Sequence, residues 1–273
     1  MSYKSILVHV TAGPQTGRAV EAAVDLAGRF DAYLLGVGAE MYDIGIMAAS
    51  PYLDGEGLQA LRGLTESNLE TARKRFAELT ASLPKSEWVS ELDYPGTATP
   101  YYCRRADLAV VCRPDPGASS LSALQPADLV MQAGLPVLLT PSTPARLEAK
   151  RVVVGWKDTR EARRAVTDAL PFLTAAETVF VLGVGGGGEA DTDREALAQV
   201  AERLRRHGAH AVTDVVQRGQ DSVAQALDRF ADANGADLLV MGAYGHSRVR
   251  EWAFGGVTQE LMDASNRYVL LSH

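Results

Sequence analysis

The chain repeats itself. Arg18-Ala19-Val20 returns as Arg164-Ala165-Val166, Leu35-Gly36-Val37-Gly38 as Leu182-Gly183-Val184-Gly185, and Ala106-Asp107-Leu108 as Ala236-Asp237-Leu238, always in the same order. Each half closes on an apolar run, Pro136 to Thr140 in the first and Tyr268 to Ser272 in the second. Strings that recur in fixed order imply a duplicated folding unit rather than one large domain. Divided between two copies, 273 residues give two domains of ordinary size. Pro141 to Lys150 holds two prolines among polar residues and reads as a linker, which sets the boundary near Arg146, with domains at 1–145 and 146–273.

Each copy opens as strand, helix, strand. In the first, Ser5 to Val10 is β-rich, Gln15 to Phe30 has helical periodicity burying Ala19, Ala23, Leu26 and Phe30, and Ala32 to Val37 is apolar again. In the second, Arg151 to Trp156 and Thr178 to Val184 flank a helix from Thr159 that turns Ala162, Ala165, Val166, Ala169 and Leu173 inward, with Asp158 and Glu161 spaced as a capping box. A long helix is expected from Glu56 to Leu83, its core stripe running from Leu61 through Leu69, Ala72, Phe76 and Leu79 to Leu83. The apolar stretch Met41 to Leu53 before it reads as a packed loop. Strands alternating with helices require crossover connections, so the expected fold is α/β: an open parallel sheet of five strands per half, helices on both faces.

Composition narrows the function classes. Apolar residues at 47% suffice for a core in each half, and a net charge of −7 argues against a nucleic-acid backbone or an anionic membrane as partner. No run approaches the roughly 20 apolar residues of a membrane helix, and Met1 to Val10 does not read as a secretion leader, so the expected location is the cytoplasm. Cys103 and Cys112 are too few for a disulfide framework or a zinc site and read as inert thiols. The five histidines, His9, His207, His210, His246 and His273, show no metal-ligand spacing. Gly183 to Gly188 satisfies G-x-G-x-x-G, but it follows the second strand of its copy and no acidic residue stands where a ribose would need one, so it reads as a flexible loop.

Open parallel sheets bind ligands beyond the carboxyl ends of their strands, and one motif sits there. After the apolar run Leu238 to Met241 come Gly242 and Gly245, then nine residues, then Gly255, Gly256, Val257 and Thr258 opening a helix through Leu261. Glycines let the backbone approach an anion, and the free amides of a helix start point donors at it. Arg248 and Arg250 lie between and can screen phosphate charge, while the Thr258 hydroxyl can serve as ligand or cap. The plain alternative is that these glycines only shape a loop.

G-x-x-G, nine residues, then G resembles the ATP-binding signature of universal stress proteins, with Gly242, Gly245 and Gly255 at the matching places. The resemblance extends over nearly the whole chain through the opening strand and helix and the closing strand of each half. It implies two tandem Rossmann-like domains of the adenine nucleotide hydrolase type, with adenine held near the first two strands and phosphates on the glycine loop. By this resemblance Gly155, Trp156, Lys157, Val184 and Met241 join Gly242, Gly245, Arg248, Gly255, Gly256, Val257 and Thr258 as site positions, for ATP with Mg2+. It further implies a regulatory binding module, at most a slow ATPase, with no catalytic residue assigned. It also implies pairing of the two halves through their closing strands, a homodimer through other surfaces remaining open.

Two departures matter. Thr11 and Lys157 stand where ATP-binding relatives usually carry an aspartate, and Gly256 replaces a hydroxyl residue. In the first half the segment Cys112 to Gly117 lacks the paired glycines, and Pro114 and Pro116 remove amide donors, so that nucleotide site reads as degenerate. A nucleotide-independent scaffold or chaperone-like partner is the alternative function.

Overall fold

The computed structural model describes residues 2–42, 55–113, 123–143, 145–185, 194–244 and 256–273. Its contacts divide the chain into two compact units, an N-terminal unit of Tyr3–Ala133 and a C-terminal unit of Gly134–His273 with Met1–Ser2. The expected irregular stretch Met41 to Leu53 falls outside the described residues from position 43 on.

The N-terminal unit contains β1 (Ser5–His9), α1 (Thr16–Phe30), β2 (Tyr33–Ala39), α2 (Gly55–Leu79), β3 (Ser86–Glu91), α3 (Pro95–Cys103), β4 (Leu108–Val111) and α4 (Pro126–Gln132). Its strands lie in the order β3-β2-β1-β4, all parallel. α1 and α2 touch each other, as do α3 and α4, so the pairs cover opposite faces. Ile6, Leu7, Val8 and all of β4 are buried, as strands covered on both sides must be. Gly36 and Gly38 in β2 have no room for a side chain: a Cβ there would strike the rings of Phe76 and Trp88 at 2.6 Å, so aromatic packing fills the α2 side of the sheet.

The long helix is shorter than its periodicity predicts. α2 ends at Leu79, the Thr80 amide and hydroxyl both bonding back to the Phe76 carbonyl (2.9 and 2.8 Å), and Leu83 lies beyond it. Pro84 disfavours helical backbone at the residue before it, so the apolar stripe outlasts the helix.

The C-terminal unit contains β5 (Val137–Leu139), β6 (Arg151–Gly155), α5 (Arg160–Asp168), α6 (Leu170–Leu173), β7 (Thr178–Gly185), α7 (Arg194–Arg206), β8 (Ala211–Gln217), α8 (Val223–Asn234), β9 (Leu238–Gly242), α9 (Gly256–Ala264) and β10 (Tyr268–Ser272). The strand order is β5-β10-β9-β6-β7-β8. All neighbours are parallel except β5 and β10, which run antiparallel with Leu139 opposite Val269 and Val137 opposite Leu271.

The helix expected from Thr159 to Leu173 is two helices, because Pro171 cannot donate into a continuous ladder and the chain steps from α5 to α6 at Ala169. Its inward residues Ala162, Ala165, Val166, Ala169 and Leu173 are buried as the periodicity requires. The cap differs from the expected box: Thr159 is the N-cap, its hydroxyl accepting from the Ala162 amide at 3.2 Å, while Asp158 pairs with Arg163. Asp158 is one residue too far from the first turn.

The repeated aspartate has one task in both units. Asp107 accepts the amides of Lys4 and Ser5 at 2.7 and 2.9 Å, and Asp237 accepts those of Glu148 and Ala149 at 2.7 and 3.1 Å. Each carboxylate satisfies amides at the entry to a central strand, β1 in one unit and β6 in the other.

Candidate functional site

The chain leaves β6 for β7 and β8 on one side and returns to β9 on the other, so strand order reverses between β6 and β9. Gly155 and Met241 are register neighbours at the carboxyl end of this reversal, and a Cβ on Gly155 would lie 3.7 Å from that of Met241. A crevice forms where helices diverge from such a point. Trp156 and Lys157 follow Gly155; the Trp156 amide bonds to the Leu182 carbonyl at 2.9 Å, and Lys157 is exposed. The Trp156 indole Nε1 is buried with no hydrogen-bond partner among the described residues. Val184 is half-buried near the end of β7.

Gly242 ends β9. A Cβ there would lie 2.4 Å from the Ala162 amide nitrogen and 2.5 Å from the Glu161 carbonyl carbon, so α5 presses its first turn onto bare backbone. Packing alone therefore requires this glycine, whatever ligand lies nearby. Ala243 continues the ladder, donating its amide to the Ser272 carbonyl at 2.8 Å, and Tyr244 turns the chain away with φ of 60°, a left-handed conformation rare for a side chain of its size. Beside it the His273 Nδ1 lies 3.1 Å from the Ala243 carbonyl. Glu161 is buried against this corner. Burial works to raise its carboxyl, but the hydrogen bond from Arg160, its own backbone amide and the Thr159 hydroxyl bring it below the ordinary carboxylate range.

Beyond the undescribed part of the loop, α9 opens at Gly256. Gly256 is exposed, and a Cβ there would meet nothing within 4 Å. Its first amides lack intrahelical acceptors. Val257 is half-buried, and Thr258 is buried, placing its side chain against the protein. Gly245, Arg248 and Gly255 lie outside the described residues. Thus the structure gathers Gly155, Trp156, Lys157, Met241 and Gly242 at one strand-order reversal, with Val184 on the neighbouring strand and Gly256 to Thr258 on the helix that follows β9.

The same place in the N-terminal unit is built differently. Thr11, the counterpart of Lys157, is committed to the fold: its amide bonds to the Thr16 hydroxyl at 2.9 Å and the two hydroxyls lie 2.8 Å apart. Cys112 and the buried Arg113 follow β4, and residues 114–122 lie outside the described residues. His9 ends β1 with its Nε2 buried and, among the described residues, unpartnered. No ligand spacing marks His9 in the sequence; its place as the last residue of an apolar central strand is the signal for its burial. A groove of about 530 Å³ between α2 and β3 is lined by Glu66, Glu70, Arg73 and Trp88 among others, and none of the sequence-predicted site residues reaches it.

The fold is α/β, a mostly parallel sheet flanked by helices, with the candidate site at a strand-order reversal. The Universal stress protein family is the match for residues 148–273, and that segment is a domain of this family. A universal stress protein from Archaeoglobus fulgidus is similar over 98% of this chain and 95% of its own, with a TM-score of 0.73 at 13% identity. A Pseudomonas aeruginosa protein described as functionally unknown is similar over 99% of this chain and 92% of its own, with a TM-score of 0.62 at 16% identity. At such identities the likeness is one of fold, and a tandem arrangement of two such domains is compatible with the structure. No curated protein matches the sequence. Among the described residues, no helix is long and apolar enough to cross a membrane.

Proposed function

We propose that the C-terminal unit binds an adenine nucleotide at the carboxyl ends of β6 and β9, and that the protein is an ATP-responsive regulator rather than a catalyst. The observation that carries this reading is the start of α9 at the exposed Gly256, following the strand-order reversal where Gly155 and Met241 sit side by side. Free first-turn amides there favour phosphate. Lys157 adds positive charge, and the unpartnered Trp156 indole N–H offers a donor to a base or sugar. Among the described residues no three His, Cys, Asp or Glu side chains converge as a metal cage, so Mg2+ would enter on the nucleotide's phosphates. In this reading domains 1–145 and 146–273 pair within the chain, and the nucleotide biases that pairing.

A second reading, a nucleotide-independent scaffold, is favoured by Gly242, whose lack of a side chain is fully explained by the first turn of α5. Calorimetric titration of nucleotide-stripped protein with ATP and Mg2+ separates the two. The regulator predicts one nucleotide per chain, lost in a folded Gly245→Asp, Gly255→Asp double variant. Absence of heat with wild-type protein would leave the scaffold.

A further inference from the structure

β1 places His9 on a definite face. Val8 is in register with Gly36, whose missing Cβ points at Phe76 of α2, so Val8 faces α1 and α2, while His9, one residue on, faces the α3 side. In the C-terminal unit the matching position is Gly155, and a Cβ there would meet Leu227 of α8 at 3.3 Å. The buried positions of α8, Ala224, Leu227 and Ala231, correspond in spacing to Gly96, Thr99 and Cys103 of α3. By that correspondence Thr99 stands at the place of Leu227, as His9 stands at the place of Gly155. Both polar members are orphaned: His9 Nε2 and Thr99 Oγ1 are buried with no hydrogen-bond partner among the described residues, and Thr99 is 0% exposed.

We propose that His9 makes the N-terminal unit acid-responsive: protonation of its imidazole opens the layer between β1 and α3, while the C-terminal unit, with Gly155 in that place, stays closed. This is independent of nucleotide binding. A buried cation without a partner is costly, and among the described residues no carboxylate is hydrogen-bonded to the His9 Nε2. The described elements packed most closely on β1 are α1, β2, β4 and α3, and α4, which packs on α3, carries the half-buried Asp128. The charges of α1, Arg18, Glu21, Asp25 and Arg29, belong to the opposite face of the sheet. On β2 the Tyr33 hydroxyl is held by Glu87, and β4 has no ionisable group. On α3 the Tyr102 hydroxyl donates to Glu91, Tyr101 lies under Arg104, and burial pushes the Cys103 thiol up to about 12, so it stays neutral. Arg113, buried just past β4, is a further cation.

Burial lowers the His9 imidazole from its ordinary 6.5 to about 4. The open state thus binds the proton first, and the closed state keeps its full advantage only above pH 6.5. Between 6.5 and 4 that advantage falls about tenfold per pH unit, to a total of about 300-fold, and below 4 it changes no further. Hydrogen exchange of the full chain, corrected for intrinsic rates, reads this unit by unit. Amides of β1 and α3 should lose protection about tenfold per pH unit from 6.5 to 4 while those of β6 and α8 hold. His9→Gln, and the double variant His9→Gly, Thr99→Leu that reproduces the other unit's pair, should flatten the slope. Equal slopes in both units of the wild-type protein overturn the proposal without reference to any variant, and so does an unchanged slope in His9→Gln.

Discussion

The two units share a frame and differ at its rim. Asp107 and Asp237 make the same bonds to the residues entering β1 and β6, and the central strands are buried alike. At the carboxyl ends the copies part. One has His9, Thr11 and Cys112 where the other has Gly155, Lys157 and Gly242. Residues that terminate backbone hydrogen bonding have no substitute of equal length and charge, whereas rim positions are constrained only by what lies above them. Duplication therefore leaves the fold readable in both copies while each rim takes its own chemistry.

The largest expected effect tests whether that difference is steric. Gly242→Ala forces a Cβ into the backbone of Glu161 and Ala162, which cannot rotate aside, and should cost about 3 kcal/mol in urea unfolding. Cys112→Ala, at the matching position, should cost under about 1 kcal/mol, since that site already accommodates a side chain. Comparable costs would break the claim that helix approach separates the rims. Next come the aspartates. Asp107→Ala and Asp237→Ala each strand two amides and should each cost about 2 kcal/mol. Here equality is the expectation, and a gap beyond about 1 kcal/mol would show that the shared frame is not shared in energy.

How much of this was legible in the sequence follows the same division. The repeated strings, strand periodicity and inward alanines of α5 depend on local pattern and burial, and they read correctly. The end of α2 did not, because a hydrophobic stripe continued past the point where Thr80 and Pro84 stop the helix. The rim was legible as a place but not as a mechanism. Gly242 looked like an anion-approach glycine, and only the position of α5 shows that packing also demands it. His9 carried no motif, since its distinction is a buried, unpartnered nitrogen, which depends on helices far along the chain.

The smallest effect sharpens the comparison at the helix that follows each first strand. In the C-terminal unit Thr159 caps α5 through the Ala162 amide, so Thr159→Ala should cost about 1 kcal/mol. In the N-terminal unit the cap position of α1 is Gln15, with helical backbone and no side-chain cap bond. The anchor has moved one residue on: the Thr16 hydroxyl takes the Thr11 amide and meets the Thr11 hydroxyl. Gln15→Ala should therefore change stability by less than about 0.5 kcal/mol, and Thr16→Val should cost about 1 kcal/mol by leaving that amide unpaired. If Gln15→Ala proves the costlier, the link from Thr11 to Thr16 does not replace the cap.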